Sequence, residues 1–122
     1  MSGVFLRTLL TGGLLLLSIG TGFLLSKTNR PLPTGLFTLH KLLAVVAIVF
    51  ASFALDSLRY IDPSPSPLLL IATASLLLIV LITGALLSFD RFASPSLIAS
   101  HQITTWLLLA LWILLLLPLS NH

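Results

Sequence analysis

The chain is written in long apolar runs broken by short polar punctuation. Four runs stand out: Thr8–Leu25, Leu36–Leu55, Leu68–Phe89 and Leu97–Leu117. Each is close to the length, about 20 residues, that a helix needs to cross the hydrocarbon core of a bilayer. Peptide groups cannot stay unpaired in lipid, so runs of this kind predict four membrane-spanning helices. The punctuation supports the boundaries. Ser66-Pro67 and Ser94-Pro95 place a capping hydroxyl and a first-turn proline at the starts of helices three and four. Thr34, after Pro31 and Pro33, is expected to cap helix two, and Pro118 to end helix four. The segment Asp62-Pro63-Ser64-Pro65-Ser66-Pro67 is too rich in proline to be helical and predicts a stiff strap. Arg7 ahead of an apolar run resembles the start of a signal peptide. The run lacks a small-residue cleavage site and matches the third run, so we read it as a retained helix.

Short connections make consecutive helices antiparallel neighbours. The expected fold is all-α: one integral membrane domain over residues 1–122, an up-down-up-down four-helix bundle built from two repeated helical hairpins, 1–62 and 63–122. We call the end holding the loops after helices one and three side A, and the end holding both termini side B.

The repeat carries the candidate chemistry. Thr21-Gly22-Phe23-Leu24-Leu25-Ser26 recurs as Thr83-Gly84-Ala85-Leu86-Leu87-Ser88, with five of six residues identical. The spacing from Gly22 to His40 in the first half matches that from Gly84 to His101 in the second to within one position. Two hairpins of the same orientation are related by an approximate two-fold axis along the membrane normal. In a simple bundle His40 and His101 then share a diagonal, each about 9–10 Å inside the side A end of its helix. Gly22 and Gly84 occupy the other diagonal at similar depth.

Such a layer suits one haem, with His40 and His101 as axial ligands on its two faces. Glycine clears space for a macrocycle edge. Thr21 and Thr83 are placed to bond a carbonyl or to orient an imidazole N–H. Lys27, Arg30, Lys41 and Arg91 lie near side A, where they would pair with propionates. On helix two, Ala44, Ala47, Ala51 and Ala54 follow His40 at helical spacing and mark a face for close packing. The matching track on helix four is Thr105, Leu108, Trp112 and Leu115, so the symmetry is imperfect away from the histidines. Gly12, Gly13 and Gly20 read as packing or flexibility, and Trp106 and Trp112 as lipid-facing or core bulk. The bland reading of the histidines is a duplicated structural residue bonded to a backbone carbonyl.

Composition sharpens the picture. The chain is 57% hydrophobic and 7% charged, against roughly 25% charged in a soluble domain. Six basic residues flanking apolar runs are too few for a nucleic-acid footprint. With no cysteine there is no disulfide, no thiolate metal site and no covalent c-type haem attachment. No charge sits at the middle of a span, which argues against a transporter or proton pump. Lys27, Arg30, Lys41 and Arg91 outnumber Arg7 and Arg59, so the positive-inside rule puts the histidine side in the cytoplasm.

With its two histidines at one depth and the Thr-Gly-x-Leu-Leu-Ser signature ahead of each, the chain resembles the membrane b-type cytochromes. These include the haem-bearing anchor subunits of respiratory dehydrogenases and the small four-helix di-histidine cytochromes. The resemblance covers the whole chain in architecture and rests on few residues. It implies one non-covalent haem b, one-electron transfer, exchange with quinone, and assembly with other membrane redox subunits or as a homodimer, in a prokaryotic plasma membrane. It implies an electron carrier more than an enzyme in its own right. Many members have two ligand pairs; this chain has one, so it would serve a single membrane face. Two rival expectations stay open: a pigment protein whose histidines bind chlorophyll magnesium, and a cofactor-free structural subunit.

Overall fold

The computed structural model describes residues 3–29, 32–61 and 64–119. Four helices follow in order: α1 (Gly3–Ser26), α2 (Thr34–Leu58), α3 (Pro67–Leu87) and α4 (Pro95–Leu119). Each is long and apolar enough to cross a membrane, consistent with an integral multi-pass protein. At 1.5 Å per residue each exceeds or matches the ~30 Å hydrocarbon core. The connections are short, and the last contains a 3₁₀ turn over Asp90–Phe92. The helices form an up-down-up-down bundle in which α1 packs mainly on α2 and α3 on α4. The α1–α4 seam is looser, and the α2–α3 seam looser still.

The predicted starts of α3 and α4 are realised by their caps. Ser66 Oγ accepts from Leu69 N at 3.1 Å, and Ser94 Oγ accepts from Leu97 N at 3.1 Å. Helix two differs from expectation. Its cap position is Pro33, which has no side-chain acceptor, and Thr34 is already the first helical residue. Pro118 does not end α4, which runs through it to Leu119. A proline in the last turn removes a single N–H donor there, so it does not force a stop. Ser64, Pro65 and Ser66 of the strap are non-helical; Asp62 and Pro63, like Pro31 and the terminal His122, lie outside the described residues.

The core lies on the side B side of the histidines. On α2 its track is Ala47, Ala51, Ala54 and Leu58; on α4 it is Leu108, Trp112, Leu115 and Leu119, and all eight are buried in one cluster. Small residues on one helix meet large residues on the other, which fills the interior without spreading the helices. In lipid, where the solvent is as apolar as leucine, this close packing replaces the hydrophobic effect as the source of association. Trp112 is fully buried and donates its indole Nε1–H to the carbonyl of Thr8 at 2.9 Å. Gly12 lets it approach: a Cβ there would stand 3.3 Å from Trp112 Cδ1. Gly13 and Gly20 have open space around them, and Trp106 is exposed.

Buried polar groups are satisfied locally. Thr8, Thr11 and Thr73 turn their hydroxyls back onto the carbonyls of Val4, Arg7 and Leu69, each at 2.8 Å. Thr11 and Thr73 are separated by the same offset as Gly22 and Gly84, which extends the duplication beyond the signature. Truncating the indole should remove both its packing and its hydrogen bond. Trp112→Ala is expected to cost about 3 kcal/mol or more, read as a lower unfolding midpoint in detergent. Trp106→Ala should cost within about 0.5 kcal/mol. Equal losses in the two variants would contradict this account of the core.

Candidate functional site

His40 and His101 each lie between one and two turns inside the side A ends of α2 and α4, counted from Thr34 and Pro95. Both side chains are half-buried. Each imidazole lies against the glycine of its own hairpin. A Cβ on Gly22 would stand 3.0 Å from His40 Cε1, and one on Gly84 3.2 Å from His101 Cε1. The clearance expected for a macrocycle edge is therefore taken up by the histidine ring itself. The repeated glycines let α1 and α3 approach the helices that carry the imidazoles.

The repeated threonines close the contact. Thr21 Oγ1 donates to the carbonyl of Ser18 at 2.8 Å and lies 2.9 Å from His40 Nδ1. His40 Nδ1 is also 2.9 Å from the Ser18 carbonyl oxygen. A carbonyl can only accept, so Nδ1 carries the proton. In the second hairpin Thr83 Oγ1 donates to the carbonyls of Ile79 (2.8 Å) and Val80 (3.2 Å). The same oxygen lies 2.7 Å from His101 Nδ1; it accepts from Nδ1–H when its one proton is on a carbonyl and donates to a bare Nδ1 when that proton turns to the ring. The Ser18 carbonyl thereby sets His40 in the Nδ1–H tautomer with the Nε2 lone pair left over, and both rings are held through Nδ1.

Neither Nε2 has a hydrogen-bond partner among the described residues. No buried side-chain nitrogen or oxygen among them lacks a partner, so these two unbonded atoms are accessible. Their half of the bundle is loosely packed: on α2 and α4 no residue on the side A side of Ala47 and Leu108 is fully buried. The two rings thus stand in the open end of a bundle whose other end is closed.

The flanking cations are at this end. Lys27, Lys41 and Arg91 are exposed and lie over the rings of Phe23, Phe37 and Phe92, at 4.8, 4.9 and 4.6 Å from the centroids. Arg30 lies outside the described residues. Among the described residues there is no cluster of three or more His, Cys, Asp or Glu. The residue that sequence reasoning missed is Ser18. It acts through its backbone carbonyl, which any residue would supply, so its side chain left no signal.

No protein-family model matches the chain, no curated protein matches it, and no solved structure matches it.

The two clasps differ in a way that can be measured. His40 Nδ1 has two oxygen partners, one of them a carbonyl, and His101 Nδ1 has one, a hydroxyl. Thr83→Val removes the one hydrogen-bond partner of His101 Nδ1 and should change that ring's tautomer balance. Thr21→Val should leave His40 on the Ser18 carbonyl with its tautomer unchanged. Imidazole ¹⁵N chemical shifts in histidine-labelled protein report this, and identical behaviour of the two rings would contradict the asymmetry.

Proposed function

We propose that the chain is a membrane b-type cytochrome that holds one non-covalent haem b between His40 and His101 and serves in one-electron transfer as a subunit or partner of a redox complex. The observation that carries the reading is the pair of imidazoles anchored by Nδ1 to the neighbouring helix with Nε2 free. Metal-ligating histidine characteristically donates its other N–H to an oxygen, which fixes the ring and raises its basicity. Here both rings are held through Nδ1, at one depth, in the half of the bundle where α2 and α4 bury no residue fully.

The residues present fit such a group. His40 and His101 would hold it, and Thr21, Thr83 and the Ser18 carbonyl would orient the two rings. Gly22 and Gly84 would hold each ring's plane by contact. Lys27, Lys41 and Arg91 have flexible side chains at the same end, able to leave their phenylalanine rings for propionates, a role Arg30 would share. When bound, haem supplies a reversible one-electron change at iron. The chain would contribute position, nitrogen ligands and the apolar core that begins at Leu108 on the side B side of the rings. With one ligand pair near one surface, electrons would enter and leave at side A, through quinone or another subunit. The excess of cations there would make it the cytoplasmic side of a prokaryotic plasma membrane.

One observation favours a second reading. Each histidine bonds within its own hairpin, so the clasp alone accounts for its presence as a lock between helices. The chain would then be a cofactor-free structural subunit.

The optical spectrum of the purified protein separates these readings. Haem b is expected, with a sharp Soret band and split α and β bands on reduction. A colourless protein would support the structural lock, and far-red absorption would point to chlorophyll on the same nitrogens. His40→Ala and His101→Ala should each abolish the low-spin spectrum while helicity persists; unchanged spectra in both would exclude these ligands. Gly22→Leu and Gly84→Leu should lower haem occupancy by displacing the rings, and full occupancy in both would show that this contact is dispensable.

A further inference from the structure

The duplication creates two equivalent seams, and the chain has treated them differently. Gly22 and Gly84 set the register between α1 and α3, and His40 and His101 set that between α2 and α4. The α1–α4 seam therefore corresponds to the α3–α2 seam. In the first, Trp112 fills the interface, bonds Thr8 and lies on Gly12. In the second, the residue equivalent to Trp112 is Ala51, and that equivalent to Gly12 is Ala74. Between α2 and α3, where no indole fills the seam, lies a groove of ≈ 500 Å³ lined by Ala74; Ala51 itself is buried in the core.

The groove has a direction. Along α2 its walls run from Arg59 and Asp56 to Ile48, and along α3 from Leu70 to Leu81. Three turns of helix span about 16 Å, roughly half the ~30 Å hydrocarbon core. The walls are almost wholly apolar, and the hydroxyl of Ser52 is turned onto the carbonyl of Ile48 at 2.9 Å. At the side B mouth Arg59 Nη2 donates to Asp56 Oδ1 at 2.6 Å and to the Tyr60 hydroxyl at 3.1 Å. The guanidinium also lies over the Tyr60 ring, 5.2 Å from its centroid, while Asp56 Oδ2 and the other guanidinium N–H groups have no hydrogen-bond partner among the described residues. Both side chains are exposed.

We propose that this groove binds one phospholipid of the side B leaflet, with an acyl chain between α2 and α3 and an ammonium-bearing zwitterionic headgroup on Asp56 and Arg59. The proposal goes beyond the haem reading and does not rest on it. A chain of one leaflet ends near the midplane, where the groove ends; a partner helix would need a groove across the whole bilayer. The mouth offers one cation beside one anion. A phosphate meets Arg59 and an ammonium meets Asp56, each through charge-assisted hydrogen bonds. An anionic headgroup would set a second negative charge against Asp56. A trimethylammonium headgroup has no N–H to donate.

The test is native mass spectrometry of the full chain, exchanged into equimolar phosphatidylethanolamine, phosphatidylglycerol and phosphatidylcholine. One phosphatidylethanolamine per chain is expected, retained several-fold over the other two. Asp56→Asn should erase that preference, and Arg59→Gln should lower retention of all three several-fold. Ala74→Phe should fill the groove and abolish retention with helicity unchanged. Equal retention of the three lipids, retention undiminished in Ala74→Phe, or a second copy of the chain in place of lipid would overturn the proposal. The readout is the same whether the protein is coloured or colourless, so its failure is separate from that of the haem reading.

Discussion

An imidazole N–H pointed at a neighbouring helix in lipid must find an acceptor, and that requirement organises the side A half of this bundle. Water is not there to take it, and an unpaired polar group in hydrocarbon costs several kcal/mol. The first hairpin meets the need with the Ser18 carbonyl and Thr21, the second with Thr83. Bringing the acceptor within reach requires the two backbones to close on the ring, and Gly22 and Gly84 allow it. Histidine, threonine and glycine thus form one unit, made twice. Once Nδ1 is committed, Nε2 is the nitrogen left without a hydrogen-bond partner, so the clasp holds one side of each ring and leaves the other unbonded.

The duplicated hairpins diverge where they meet each other. Along the interior α2 offers alanines and α4 offers leucines and Trp112, which fit because they are unequal. Two identical tracks of leucine would crowd the interior, and two of alanine would leave it empty. Divergence in side-chain volume therefore stabilises a closed side B end. It also seals the α1–α4 seam with the indole of Trp112 while its counterpart stays open. The closed end fixes the helices, and the open end keeps the imidazoles accessible.

Much of this was legible in the residues. Four spans, their order and the caps at Ser66 and Ser94 follow from apolar run length and from serine-proline pairs, because lipid permits a single-chain segment of this length only as a helix. The pairing of His40 with Gly22 and Thr21, and of His101 with Gly84 and Thr83, was visible as a repeat in spacing. Its meaning was only partly visible. Glycine at the histidine layer suggested room for a macrocycle, and the room belongs to the ring of the same hairpin. Thr34 and Pro118 were read as helix ends by local preference, but α2 starts from Pro33 and α4 continues to Leu119, because terminal turns tolerate what an interior turn does not.

The sequence by itself determined the spans, the antiparallel order and the two-fold repeat, because these depend on hydrophobicity along the chain and on loop length. Only the tertiary structure decided which imidazole nitrogen is held and which is free, since Ser18 contributes a backbone oxygen that carries no side-chain signature. It also decided that Trp112 faces inward while Trp106 faces out, a matter of rotation about the helix axis that an all-round apolar helix leaves unmarked. The closed and open seams were equally hidden. They follow from which large residue meets which small one across the bundle, and no single segment records its neighbour.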